Sequence, residues 1–151
     1  MSNDNDELAK LSAIHSASNA CARYRREPAG RDVWQTPAEL AASGVGDCED
    51  FAIDAMFRVL NPWAPNVAML GCCLRDDGQM HMVCLVYSYQ TTADPWVLDV
   101  AVDAVCRLSE RQDLTLIYEL GMAGVYVMGE LVGGVGHNAM WKDVLARMMA
   151  P

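Results

Sequence analysis

Two spacings of apolar residues divide the chain. From Asp6 to about Arg26 they recur with helical period: Leu11, Ile14, Ala17 and Cys21 fall on one face, with Leu8 at its edge. Residues 1 to 6 carry no such pattern and are expected to be disordered. Arg23, Arg25 and Arg26 suit the negative end of that helix, and Glu27-Pro28-Ala29-Gly30 breaks it. A short helix is predicted next, with Thr36 as N-cap, Pro37 at the first position and Glu39 at the third, the pattern of a capping box. It ends by Ser43-Gly44. A third helix is predicted from Cys48 to about Leu60, turning Phe51, Ala52, Ala55, Met56 and Val59 inward until Asn61-Pro62 stops it.

The period then shortens. Residues 67–74, 80–89 and 96–100 read as strands, the first two joined by Arg75-Asp76-Asp77-Gly78-Gln79, whose Asp-Gly pair signals a hairpin-type reversal. Strand-like 114–118 and 124–128 follow. A glycine-rich turn from Gly133 to His137 and an amphipathic helix from Met140 to Met149 close the chain. Helices first and an antiparallel meander after them predict an α+β fold with the helices packed on one sheet. No repeat, linker or low-complexity stretch interrupts residues 1–151, which read as one domain long enough for a sizeable core.

Charge narrows the partners. The net charge of −9 repels phosphate, so a nucleic-acid or anionic-membrane surface is not expected, whereas a cationic ligand or metal cation is accommodated. No stretch reaches the ~18 apolar residues of a membrane span. No basic-then-apolar leader opens the sequence, so a cytoplasmic location is expected, or a periplasmic one if a leader has been removed. Cys72 and Cys73 are adjacent, which suits neither a disulfide staple nor a CxxC metal site. With Cys84 they lie in strand-like runs and read as buried, reduced thiols.

The chemistry gathers at Gly44-Val45-Gly46-Asp47-Cys48-Glu49-Asp50. Asp47 falls at a helix N-cap and Cys48 in the first turn, where free N–H groups and a partial positive charge favour a thiolate. Asp47, Glu49 and Asp50 push the other way. Such a cysteine needs an outside base or cation. His81 heads an otherwise apolar strand and requires a polar partner; Asp99, at the end of the next strand, offers one across an antiparallel pair. Cys48, His81 and Asp99 then form a nucleophile, base and orienter, although their spacing alone fits residues with no joint role better. His15 lies in the first helix, and His137 reads as structural or exposed. Trp34 reads as a packing residue over the site.

The wider pattern is more specific. Trp34-Gln35-Thr36-Pro37-Ala38-Glu39, then Gly44 through Ile53, then His81-Met82-Val83, then Leu98-Asp99, resembles the bacterial transglutaminase-like cysteine proteinases, the family of the LapG adhesin-releasing proteases. Ser18 through Arg25 is similar to that family's lead-in helix, and the resemblance spans roughly residues 10–128. It implies a papain-like fold of transglutaminase type, with Cys48 as nucleophile, His81 as general base and acid, Asp99 as orienter, and the Cys48 N–H in an oxyanion hole. It also implies calcium held by Asp47, Glu49 and Asp50, since short acidic clusters suit hard cations. No organic cofactor is expected. The implied partner is a protein or peptide substrate, with room for a regulatory protein. One departure is Val100 after Asp99, where the family commonly has Asn. Hydrolysis, deamidation and amine transfer share their first half-reaction, so the residues leave these open, along with a catalytically silent peptide- or calcium-binding module. A zinc site of Cys72, Cys73 and His81 is a poor reading, because adjacent strand residues face opposite ways.

Overall fold

A computed structural model describes residues 4–26, 33–60, 68–87 and 93–150. The breakers predicted at 27–30 and 61–62, and the strand ends predicted at Val67 and at Ser88-Tyr89, lie outside these residues. Helix α1 (Asp4–Ala20) begins inside the stretch expected to be disordered and stops six residues before Arg26. Tertiary hydrogen bonding is the reason. Past Cys21 the chain straightens into β1 (Arg23–Tyr24), which pairs in parallel with β2 (Val45–Gly46): Arg23 N–H donates to Gly44 O and Arg25 N–H to Gly46 O, both at 2.8 Å. The arginines predicted to end a helix belong instead to this ladder. The face that α1 buries is also shifted, to Leu11, His15 and Ser18. His15 is accommodated there because its Nε2 meets Val102 O at 2.9 Å.

Helix α2 (Pro37–Ser43) opens on the predicted capping box, with Thr36 Oγ1 accepting from Glu39 N–H and Glu39 Oε1 from Thr36 N–H. Gly44 ends it in the left-handed region at φ 71°, a conformation that favours glycine. Helix α3 (Cys48–Leu60) follows after the four residues 44–47. Gly46 in this connection has no room for a side chain: a Cβ there would lie 2.5 Å from Leu40 Cδ1 and 2.9 Å from Asp50 Cβ.

The main sheet is antiparallel. Its strands are β3 (Ala68–Arg75), β4 (Met80–Val86), β5 (Trp96–Leu98), β6 (Cys106–Arg107), β7 (Leu114–Gly121), β8 (Gly124–Val127) and β9 (Glu130–Gly133), in the order β6-β5-β4-β3-β7-β8-β9. It departs from a simple meander once, where the chain leaves β6 and returns on the far side of β3. Strand β9 takes up the start of the stretch predicted as a glycine-rich turn, and β6 was not predicted. Helix α4 (Ala139–Met149) closes the fold, with Trp141 Nε1–H donating to Gly121 O at 2.9 Å and Arg147 bridging Glu39 and Trp34 O. No helix among the described residues is long and apolar enough to cross a membrane.

Side chains alternate across the strands, so the sheet serves two cores. Leu70, Cys72, Met82, Cys84, Val86, Trp96 and Leu98 pack against Ala52, Ile53, Ala55, Met56 and Val59 of α3 and against Trp141 and Val144 of α4. Cys73, Val83, Leu85, Val97 and Leu114 form a smaller cluster of their own. The cysteines are all free thiols, and Cys72, Cys73 and Cys84 are buried.

Candidate active site

The loop before α3 is built by reciprocal bonds. Asp50, three residues into the capped turn, reaches back so that its Oδ2 accepts from Asp47 N–H at 3.0 Å. The same carboxylate accepts from Gln35 N–H at 2.7 Å and Gln35 Nε2–H at 3.0 Å, and Gln35 Nε2–H also donates to Val45 O at 2.9 Å. Gln35 thus binds the Trp34–Glu39 block to the Gly44–Ala52 block. Burial pushes the Asp50 carboxyl up to about 6, against the pull of the Gln35 and Asp47 N–H groups. The sign follows from linkage. A folded-state value above the ordinary 3.8 stabilises the fold below pH 3.8, and that contribution is lost as the pH rises through about 6. Unfolding free energy in urea is expected to fall by up to roughly 3 kcal/mol across this window from Asp50 alone. Asp50→Asn should flatten that slope; an unchanged slope would count against the assignment.

Cys48 occupies the first position of α3, partly buried, with the Met82 backbone of β4 close enough to favour its thiolate. Burial pushes its thiol well above the ordinary range, Glu49 and Asp47 push it further, and the Met82 backbone opposes them. The helix start therefore does not make a thiolate unaided. Tyr24 closes another side: its ring centroid lies 6.4 Å from that of Phe51, and its phenol is held up by burial and by the Cys48, Asp47 and Glu49 charges.

His81 and Asp99 come together. His81 Nε2 lies 2.7 Å from Asp99 Oδ1, with both residues buried. A carboxylate only accepts, so the imidazole carries a proton on Nε2, and its neutral form keeps a lone pair on Nδ1. Asp99 Oδ1 also accepts from Ala101 N–H at 2.9 Å, and Arg111 Nη1 forms an ion pair with Asp99 Oδ2 at 2.9 Å. Burial alone would raise the Asp99 carboxyl, but the His81 bond and charge, the Ala101 N–H and Arg111 outweigh it and hold the group below its ordinary value. Arg111 is itself gripped by Asp113 through Nε and Nη2 at 3.0 and 2.9 Å.

Among the described residues no hydrogen bond joins Cys48 to His81; the thiol stands near β4 at the adjoining residue, Met82. Alternation turns Met82 toward α3 and His81 toward the smaller cluster. Strand β5 pairs only with Cys84–Val86, so β5 does not pair with β4 at His81–Val83.

The three carboxylates expected to hold calcium differ in their surroundings. The oxygens of Asp50 are committed to N–H groups. Glu49 Oε2 is buried without a hydrogen-bond partner, and the buried Asp47 carboxylate stands on the other side of Cys48. An orphaned buried carboxylate oxygen fits a hard cation. Among the described residues no three His, Cys, Asp or Glu side chains converge as a metal-binding group.

Sequence reading did not single out Tyr24, the Met82 backbone or Arg111 for this site, and it quoted Gln35 only inside a motif. The Gln35–Asp50 bonds had one signal, the recurrence of the two blocks together. Arg111 had none.

No protein-family model matches the chain, and no characterised protein matches it by sequence. Solved structures do. Legionella pneumophila LapG after EGTA treatment aligns with a TM-score of 0.83 at 26% identity, over 93% of this chain and 78% of that one. Calcium-bound Legionella pneumophila LapG gives 0.80, and a further structure of the same protein 0.81, at the same identity and coverage of this chain and over 79% and 76% of those chains. The helix order and the antiparallel sheet agree with the α+β fold predicted from the sequence. The chain has the fold of LapG, a bacterial transglutaminase-like cysteine protease, over nearly its whole length.

Proposed function

We propose that the chain is a thiol peptidase acting on a protein substrate, with Cys48 as nucleophile, His81 as base and acid, and Asp99 as orienter. The observation that carries this reading is the buried His81–Asp99 pair, with His81 on the strand whose next residue, Met82, stands near the Cys48 thiol. His81 Nδ1 takes the thiol proton and the thiolate adds to the amide carbonyl carbon. The Cys48 N–H, at a helix start and free of an intrahelical acceptor, faces the developing oxyanion. The C–N bond breaks as His81 returns the proton to the leaving amine. Water, deprotonated by the same imidazole, cleaves the thioester. Asp99 keeps Nε2 protonated throughout, so Nδ1 remains the working nitrogen.

Calcium, where bound by Asp47 and Glu49, supplies positive charge beside the thiol and offsets the repulsion these carboxylates exert. Millimolar calcium is expected to raise Tm and EGTA to reverse the gain, with Glu49→Gln abolishing the response. A Tm indifferent to both reagents in the wild-type chain would remove calcium from this reading.

The central test is thiol reactivity at pH 7. Iodoacetamide, followed by peptide mass spectrometry, is expected to modify Cys48 at least about tenfold faster than Cys21 and Cys106, which are also partly buried. Equal rates would sink the enzyme reading.

A further inference from the structure

The sheet continues past the point where Cys48 meets it, and there its α3-facing side is apolar and uncovered. In the β3–β4 register Cys72 pairs with Met82, and two residues further along Leu74 pairs with Met80. Alternation puts Leu74 and Met80 on the same side as Cys72 and Met82, the side of α3. Two residues of strand span about 7 Å. Leu74 and Met80 therefore form a cross-strand pair one step beyond Met82, on the face against which Cys48 packs. Among the described residues this end of the face stays open: Leu74 is 37% exposed and Met80 57%. Across β3 the β7 residue paired with Leu74 is Thr115, so the apolar strip ends at the β3–β4 pair.

We propose that Leu74 and Met80 are a substrate shelf, seating an apolar side chain of the polypeptide next to the scissile amide. The inference rests on the peptidase reading above. Its warrant is position. An uncovered apolar pair adjoining a nucleophile stabilises a bound chain by burying an aliphatic side chain, and it penalises a carboxylate that would lose its water there. An isolated exposed apolar residue would mean nothing; a leucine and a methionine paired at that place favour an occupant that must lie across Cys48 to react.

The test uses acylated dipeptidyl chloromethyl ketones that alkylate Cys48 and differ only in Leu or Asp at the residue beside the reactive one. Each rate is divided by the same variant's iodoacetamide rate. The wild-type chain is expected to favour the Leu reagent by about tenfold or more. Leu74→Asp and, separately, Met80→Asp should cut the preference to within about twofold, while Leu131→Asp on distant β9 should leave it intact. Equal rates for the two reagents in the wild-type chain, or a preference that survives both substitutions, would overturn the shelf alone. Absence of selective Cys48 labelling by iodoacetamide would overturn the peptidase reading first and the shelf with it. A dimer in sedimentation that Leu74→Asp dissociates, with the reagent preference unchanged, would make the strip a self-association surface and the inference wrong.

Discussion

Arg111→Met is expected to lower the unfolding free energy by roughly 3–5 kcal/mol, the range seen when one partner of a buried ion pair is removed. The Arg111 side chain is 10% exposed and that of Asp99 0%, so water cannot replace the guanidinium. Asp99 Oδ2 has no other partner among the described residues, and the substitution strands a buried carboxylate oxygen. Asp113, at 42% exposure, makes the informative control: Asp113→Asn should cost no more than about 1 kcal/mol. Arg111→Lys keeps the charge but loses the planar fork and should fall between the two. The acid limb gives a second readout. Because Asp99 is held below its ordinary 3.8, its contribution is present above that pH and is lost as pH falls through the lower folded value. Without Arg111 that loss should begin at higher pH. Urea titrations from pH 3 to 7 measure both effects, and a loss of less than about 1 kcal/mol for Arg111→Met would show that Asp99 does not depend on it.

His81→Ala is expected to slow iodoacetamide at Cys48 by about 10²-fold or more at pH 7, within the range that general-base assistance supplies. The environment makes the dependence steep. Burial, Glu49 and Asp47 all hold the thiol protonated, and only the Met82 backbone opposes them. A chain without the imidazole must form its thiolate by direct ionisation, so its rate should climb about tenfold per pH unit through the neutral and mildly alkaline range, whereas the wild-type rate should be flatter. Asp99→Ala should lie between the two, since the base survives without its orienter. If His81→Ala left the rate at pH 7 within twofold of wild type, the imidazole would not be the base and another group would have to be sought around Tyr24.

Local chemistry was legible in the sequence where local chemistry decides. The start of α3 at Cys48, the Thr36–Glu39 capping box and the Asp77-Gly78 reversal are each fixed by residues within four positions of one another. His81 and Asp99 stood out for a different reason: polar residues in apolar strands demand partners, and adjacent strands supply few. What was hidden depends on topology. Helix α1 ends early because residues far along the chain, Gly44 and Gly46, offer better hydrogen bonds to Arg23 and Arg25 than another helical turn would. Asp50, one of three acids by a cysteine, resembles a ligand until Gln35 takes both its oxygens. Arg111 sits in a polar turn, where an arginine normally faces water, and only the antiparallel return of β7 beside β3 brings its turn back to the end of β5.

The dispersal of these groups along the chain sets when the chemistry switches on. Cys48 leaves the ribosome well ahead of His81, Asp99 and Arg111, and domains acquire their contacts as units once enough chain has emerged. Until β4 and β5 are paired no imidazole is held for the thiol, and until the chain has turned back toward β7 nothing neutralises Asp99. On the chemistry proposed here, a nascent or truncated polypeptide that stops short of Arg111 carries an idle cysteine. On that chemistry the cysteine is made early and armed last, when the sheet that holds the imidazole is complete.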